Sequence, residues 1–129
     1  MASFFFDYAK MTSAFDKDVK DAIQDIKREC KTSLTLVSSA RSSTSKLIPD
    51  YLINKDGTPF LIIEHKSQFT SLSESIFAKG LSEWGTYGIL TNGKTFKVYG
   101  RKSCSEITEC GNLKSAITYL VVPTLVKIN

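Results

Sequence analysis

The sequence has few of the residues that build disulfide frameworks or zinc sites. Its 129 residues include three cysteines and one histidine, and no two cysteines form a C-x-x-C pair. An odd number of cysteines argues against a disulfide framework, and the missing ligand spacing argues against structural zinc. A disulfide between Cys104 and Cys110 is the alternative that this spacing leaves open.

Long apolar stretches are also missing. No run approaches the roughly 20 residues that a membrane span requires. The segment Phe4-Phe5-Phe6 is too short for the apolar core of a signal peptide, and Asp7 follows it. We therefore expect no membrane segment and a cytoplasmic location. The sequence contains no G-x-x-x-x-G-K-[S/T] stretch, so this chain carries no ATP motor.

The remaining composition is that of one ordinary soluble domain, with 42% hydrophobic and 23% charged residues. The net charge of +4 permits nucleic-acid binding but does not require it. Two groups of basic residues are either solvated faces or surfaces that follow a phosphate backbone. One group follows a Thr-Asn-Gly turn and comprises Lys94, Lys97, Arg101 and Lys102. The other lies along the first helical region and comprises Lys10, Lys17, Lys20, Lys27, Arg28 and Lys31.

Hydrophobic periodicity and turn residues predict three helices and five strands. The helices are predicted at Ala14–Cys30, Leu72–Trp84 and Leu113–Val121, with Ser13 and Asn112 capping the first and last. The strands are predicted at Leu34–Leu36, at Leu47–Ile53, at Phe60–His65 and on both sides of Asn92-Gly93. The polar stretch from Ser38 to Ser45 is predicted to be an exposed loop, and Pro123 to end the last helix.

The turns and the middle helix determine how these strands would pair. Asp56-Gly57 and Asn92-Gly93 are strong hairpin signals. A helix that crosses between two strands makes them parallel and adjacent. The sequence therefore predicts a single α/β domain with a mixed sheet flanked by helices.

Two carboxylates and an amine are expected to converge at the end of the first hairpin. Glu64 and Lys66 share one strand face because side chains alternate, and Asp50 joins them if the loop between the strands has an odd number of residues. Buried carboxylates are costly unless they are paired or bind metal. An ion pair at a strand end emerging into water is the alternative. His65 points to the other face, where packing is its expected role.

Pro49-Asp50 followed by Glu64-x-Lys66 resembles the PD-(D/E)XK nuclease signature. The stretch Tyr87–Tyr99, with its Leu-Thr-Asn-Gly, is similar to the strand after the motif helix in the N-terminal nuclease domain of type I restriction enzyme R subunits and their stand-alone relatives. The resemblance covers most of the predicted core and implies a restriction-endonuclease-like fold. It also implies that Asp50 and Glu64 bind a divalent metal and that Lys66 assists the attacking water.

The resemblance implies further ligands as well. The main-chain carbonyl of His65 would complete the metal ligands, and an acid of the first helix would join them. Asp16 matches that acid best by position, and Asp18 and Glu29 compete with it. Ser75 stands where the restriction subunits carry a glutamine. The expected metal is Mg²⁺, with Mn²⁺ as a substitute, because a hard cation with oxygen ligands activates water and stabilises the leaving oxygen.

The predicted function is therefore that of a Mg²⁺-dependent endonuclease acting on DNA. Lys94, Lys97, Arg101 and Lys102 are expected to hold the DNA backbone near the metal. One active site cuts one strand, so cleavage of both strands would favour a homodimer. Two alternatives remain open: a non-catalytic nucleic-acid-binding or regulatory module that retains the fold, and a nuclease that acts on RNA.

Overall fold

Six strands form one mixed sheet in which the spatial order is the same as the order along the chain. The computed structural model describes residues 2–37 and 49–122, with side chains from residue 14 onward. The helices are α1 (Ala2–Cys30), α2 (Ser71–Trp84) and α3 (Leu113–Val121). The strands are β1 (Leu34–Val37), β2 (Tyr51–Lys55), β3 (Thr58–His65), β4 (Tyr87–Thr91), β5 (Phe96–Tyr99) and β6 (Glu106–Cys110). This is the α/β arrangement that the sequence predicts, and it is compatible with a restriction-endonuclease-like core.

The β2–β3 hairpin turns at Asp56 and Gly57, whose φ angles of 54° and 80° are both left-handed. A two-residue turn of this kind requires positive φ at both positions, and Asp-Gly tolerates it. The register then shifts between Ile53 and Asn54, so that Tyr51 pairs with Ile63. Asp50, which precedes Tyr51, therefore comes level with Glu64, which follows Ile63.

Helix α2 connects β3 to β4 and makes these two strands parallel neighbours, as predicted. It begins after Thr70, whose side chain accepts the N–H of Ser73, and ends at Gly85, whose φ is 68°. The helix packs closely on β4, because a Cβ at Gly88 would lie 2.6 Å from Leu81 Cδ2. Glycine at this position lets α2 lie directly on the sheet, with its first turn near the end of β3.

The sheet buries one apolar layer on each face. Helices α1 and α3 cover the first face, where Ile26 and Ile117 pack with Ile63 of β3. Helix α2 covers the second, where Phe77 packs with Ile62. Alternation along β3 therefore sends successive side chains to different helices.

Three predicted details differ from the structure. Helix α1 begins at Ala2 and not near Ala14, because no proline or glycine interrupts residues 2–13. Strand β2 begins at Tyr51. Strand β6 was not predicted, because Ile107 is its one strongly apolar residue. Its strand conformation depends on pairing with β5 at the sheet edge. The predicted loop at 38–45, the start of the predicted strand at 47 and the helix end at Pro123 lie outside the described residues.

The cysteines and the helices bear on two further expectations. Cys30, Cys104 and Cys110 are free, so the alternative disulfide between the last two is not formed. None of the helices among the described residues is long and apolar enough to cross a membrane.

Candidate active site

Two hydrogen bonds join the chain segments that carry Asp50 and Glu64, and each bond has one of these carboxylates as its acceptor. The main-chain N–H of Asp50 donates to Glu64 Oε1 at 2.8 Å, and Asp50 Oδ2 accepts the N–H of His65 at 2.8 Å. Each carboxylate thus accepts a hydrogen bond from the backbone of the other chain segment. Because both acceptors are charged groups, these are strong hydrogen bonds that fix the two carboxylates relative to one another.

Glu64 is the buried member of this pair, with 4% of its surface exposed. Burial raises the pKa of its carboxyl group, and the negative charge of Asp50 raises it further. The N–H of Asp50 and the ammonium of Lys66 act in the opposite direction. The raised pKa means that the protein holds this carboxylate at an energetic cost, which a bound cation would relieve.

Lys66 completes the predicted trio. Its Nζ lies 3.5 Å from Glu64 Oε2, and its side chain is about half exposed. Its main-chain N–H donates to the carbonyl of Thr91 at 2.8 Å, which ties this strand end to β4. Glu64 and Lys66 are thus in contact at the end of β3, and hydrogen bonds hold Asp50 beside this pair.

A small cavity of about 80 Å³ opens beside Glu64 and Lys66. Its other walls are Ser73, Ile76 and Phe77 of α2. Ser73 and Ile76 were not predicted as site residues, since their positions depend on how closely α2 packs on the sheet. Ser73, and not the exposed Ser75, is the α2 serine that lines this cavity.

The side chain of His65 lies on the opposite face of the sheet, as the alternation predicts. Its ring packs against Phe15 of α1, with 4.8 Å between the ring centroids. It also lies beside the β4–β5 turn, where a Cβ at Gly93 would come 3.4 Å from His65 Nε2. His65 thus contacts the site through its main chain while its imidazole packs elsewhere.

Asp16, the predicted helix acid, lies near the site without joining it. It pairs with Lys20 at 2.8 Å, and a hydrogen bond links it to the hydroxyl of Tyr51. Burial, followed by the charge of Asp16, raises the pKa of Tyr51 to about 12, and the charge of Asp50 contributes to this shift.

The competing acids of α1, Asp18 and Glu29, make contacts on the α1–α3 side of the sheet. Asp18 lines a cavity of about 400 Å³ on the α1–α3 face, and Glu29 accepts a hydrogen bond from Lys114 at 2.9 Å. That larger cavity also contains Asp21 and Asp25. Lys114 also lines this cavity and pairs with Asp25. Asp21 pairs with Lys17, so these two aspartates are occupied by ion pairs.

The residues present can hold a magnesium ion. Within residues 14–37 and 49–122, no three His, Cys, Asp or Glu side chains lie close enough together to hold a metal. Mg²⁺ does not need three, because it commonly binds one or two carboxylates and keeps several waters. Asp50, Glu64 and the main-chain carbonyl of His65 offer oxygen atoms, the donor type that Mg²⁺ prefers.

The four basic residues after the Thr-Asn-Gly turn do not form one surface. Lys94 lies in the β4–β5 turn, at the sheet end where Thr91 pairs with His65. Arg101 and Lys102 follow the far end of β5, where Tyr99 pairs with Gly88. The expectation that all four lie near the metal is corrected, because β5 runs antiparallel to β4 and carries the chain away from the site.

Lys97 faces the same side of the sheet as Glu64 but is already neutralised. It contacts Glu74 of α2 at 2.6 Å and Glu106 of β6 at 3.8 Å, and its Nζ lies 4.8 Å from the centre of the Phe69 ring. A hydrogen bond from Lys97 to Glu74 is the main reason that the pKa of Lys97 is raised. These contacts tie α2 to the sheet.

The chain matches no family model, no curated protein and no solved structure. A functional assignment therefore has to come from the geometry of the Asp50, Glu64 and Lys66 trio.

Proposed function

We propose that the protein is a Mg²⁺-dependent endonuclease of the PD-(D/E)XK type that hydrolyses phosphodiester bonds in DNA. The observation that carries this proposal is the reciprocal lock between Asp50 and Glu64, with the Lys66 amine 3.5 Å from the buried carboxylate. Asp50, just before β2, and Glu64 with Lys66, at the end of β3, would together bind one cation and a phosphate. Cleavage of both strands would need two such sites, so we also propose a homodimer for that reaction.

Each residue has a defined part in this chemistry. Asp50, Glu64 and the carbonyl of His65 would hold the cation, which when bound would activate a water and stabilise charge at phosphorus. Glu64, fixed by the N–H of Asp50, would bind the cation as a carboxylate. Lys66 donates a hydrogen bond from Nζ to the attacking water and so orients it toward phosphorus. The half-exposed position of Lys66 leaves room for that water.

The burial of Glu64 favours this function over a non-catalytic binding module. A module that only binds nucleic acid gains nothing from a buried carboxylate with a raised pKa beside a polyanion. Such a group lowers stability and repels phosphate. Costly arrangements of this kind are typical of catalytic and metal-binding sites.

The test measures cleavage of linear, nicked and single-stranded DNA, and of RNA, with Mg²⁺, Mn²⁺ or EDTA. We expect DNA cleavage with either metal and none with EDTA. Asp50→Asn and Glu64→Gln should each reduce the rate by about 100-fold or more. Asp56→Asn, in the hairpin turn, and Glu109→Gln, exposed on β6, are matched controls that remove one carboxylate elsewhere. Cleavage at the wild-type rate by either site variant would refute the proposal, and cleavage of RNA alone would change the substrate.

A further inference from the structure

Two large apolar side chains are exposed beside the candidate site. Leu72 is 70% exposed and Ile76 is 54% exposed, and these are the exposed large hydrophobic residues of the described chain. They are four residues apart in α2, so they are neighbours on one helix surface. Ile76 also lines the cavity that contains Glu64 and Lys66. The apolar patch formed by Leu72 and Ile76 is therefore continuous with the proposed catalytic site.

The patch is held in a fixed position relative to Glu64. The close approach of Leu81 and Phe77 to Gly88 seats α2 on β4. The ion pair between Glu74 and Lys97 anchors the first half of the helix, and the capping box at Thr70 fixes its start. A substrate at Lys66 would thus meet the same apolar surface in every molecule.

The chemistry of a nucleic acid determines what can cover this patch. A phosphate bound at the metal has a sugar and a base as its nearest neighbours. In a continuous duplex the bases are stacked inside, and the outer surface near the scissile bond is charged backbone. Contact with an apolar side chain would desolvate those charges without a compensating interaction. An unpaired base exposes an apolar face that packs on such a side chain.

We propose, resting on the nuclease function above, that Leu72 and Ile76 contact unpaired bases next to the scissile bond and so determine the substrate class. The preferred substrate is DNA with locally unpaired bases, such as a single strand or a forked end. Ile76 touches the nucleotide at the cavity, and Leu72, one helical turn nearer the start of α2, touches the next base.

The experiment compares binding of one fluorescein-labelled DNA strand in three forms: alone, in a full duplex, and in a fork with a mismatched tail. Binding is measured with Ca²⁺, which shares the oxygen-ligand preference of Mg²⁺, and again with EDTA. The test protein carries Leu72→Gln and Ile76→Gln together, since glutamine keeps helix propensity and both positions are exposed. Ser82→Gln is the control, at an exposed position near the other end of α2.

We expect the wild type to bind the single strand and the fork about tenfold more tightly than the duplex. The double variant should reduce this preference to about twofold or less, with duplex binding and thermal unfolding unchanged, and Ser82→Gln should retain it. Equal wild-type binding of all three forms would overturn the inference. So would an equal loss for all three forms in the double variant, or a dimer that becomes a monomer in that variant, since a second copy would then cover the patch.

Cleavage in Mg²⁺ separates this inference from the function on which it rests. Metal-dependent cleavage that Glu64→Gln abolishes, with duplex and single strand cut equally, would refute the substrate class and leave the nuclease standing. A binding preference that follows Leu72 and Ile76 without any cleavage would refute the nuclease and leave the contact with unpaired bases standing.

Discussion

Asp50 and Glu64 each accept a main-chain N–H from the other's strand, at 2.8 Å in both directions. Glu64 binds Asp50 itself, while Asp50 binds the residue after Glu64. These two hydrogen bonds consequently continue the contact between the two chain segments past Tyr51 and Ile63, the last pair of β2 with β3 at this end. If these carboxylates bind the proposed cation, they are held in position before it arrives, which lowers the cost of binding.

The first prediction concerns stability without metal. Glu64→Gln should raise the free energy of unfolding at pH 7 by about 1 kcal/mol, because it removes a buried charge while glutamine can still accept the N–H of Asp50. Chemical denaturation in EDTA measures this, with Glu109→Gln as the exposed control. A loss of stability in Glu64→Gln would show that the carboxylate stabilises the fold.

The pH dependence of the wild type should agree with that result. The folded pKa of Glu64 lies above its ordinary value of 4.5, so the folded protein binds this proton more tightly than the unfolded chain does. The contribution of Glu64 to stability should therefore fall as pH rises from about 4.5 through the folded pKa and stay constant above it. The difference in unfolding free energy between Glu64→Gln and wild type should grow over that window.

The second prediction is that metal reverses the stability difference, so that wild type becomes more stable than Glu64→Gln. Mg²⁺ that binds only the folded protein stabilises it by about 1.4 kcal/mol at ten times its dissociation constant. Wild type should show this gain in a thermal melt, and Asp50→Asn and Glu64→Gln should show little of it. Asp56→Asn should behave like wild type. An equal Mg²⁺ effect in all four proteins would place the ion elsewhere.

Local signals were sufficient to predict most of the fold. Asp56-Gly57 and Asn92-Gly93 specify their turns within two residues, and the α2 crossover then makes β3 and β4 parallel. The register of β2 with β3 was left conditional on an odd loop. The turn itself has an even number of residues, and the shift between Ile53 and Asn54 supplies the extra one. Without that shift Asp50 would lie opposite Ile63. No local sequence signal predicts the shift.

The site was predictable to the extent that it depends on strand alternation. The common face of Glu64 and Lys66 and the opposite face of His65 follow from a period of two. Ser73 and Ile76 depend instead on the distance of α2 from the sheet, which the close contact at Gly88 sets. The prediction that Arg101 lies near Lys94 was wrong because the two residues flank opposite ends of β5. They are close in sequence, but the strand between them holds them apart.

The third prediction separates the two neighbours His65 and Lys66. Lys66→Ala should abolish turnover with little change in stability, because Nζ lies at the cavity and the side chain is half exposed. His65→Gln should mainly lower stability, by about 1 kcal/mol, because the ring packs on Phe15 on the other face. Turnover and denaturant unfolding of both variants measure these effects. Equal losses of turnover in two folded variants would mean that the strand alternation is misassigned.

The last prediction identifies where the DNA backbone crosses the sheet. Lys94 lies at the end of the sheet that carries His65 and Lys66. Arg101 instead lies in the turn beyond Tyr99, and Tyr99 is itself about 7 Å along β5 from the level of Glu64. A phosphate contact at Lys94 should be lost in Lys94→Ala, which lowers affinity for all sequences alike and reduces the slope of log affinity against log salt by about 0.9. Arg101→Ala and Lys102→Ala are matched controls and should leave that slope unchanged. Binding of single-stranded DNA across a salt series measures all three. A reduced slope in the two controls, with none in Lys94→Ala, would place the backbone at the opposite end of the sheet and separate DNA binding from the Asp50 and Glu64 pair.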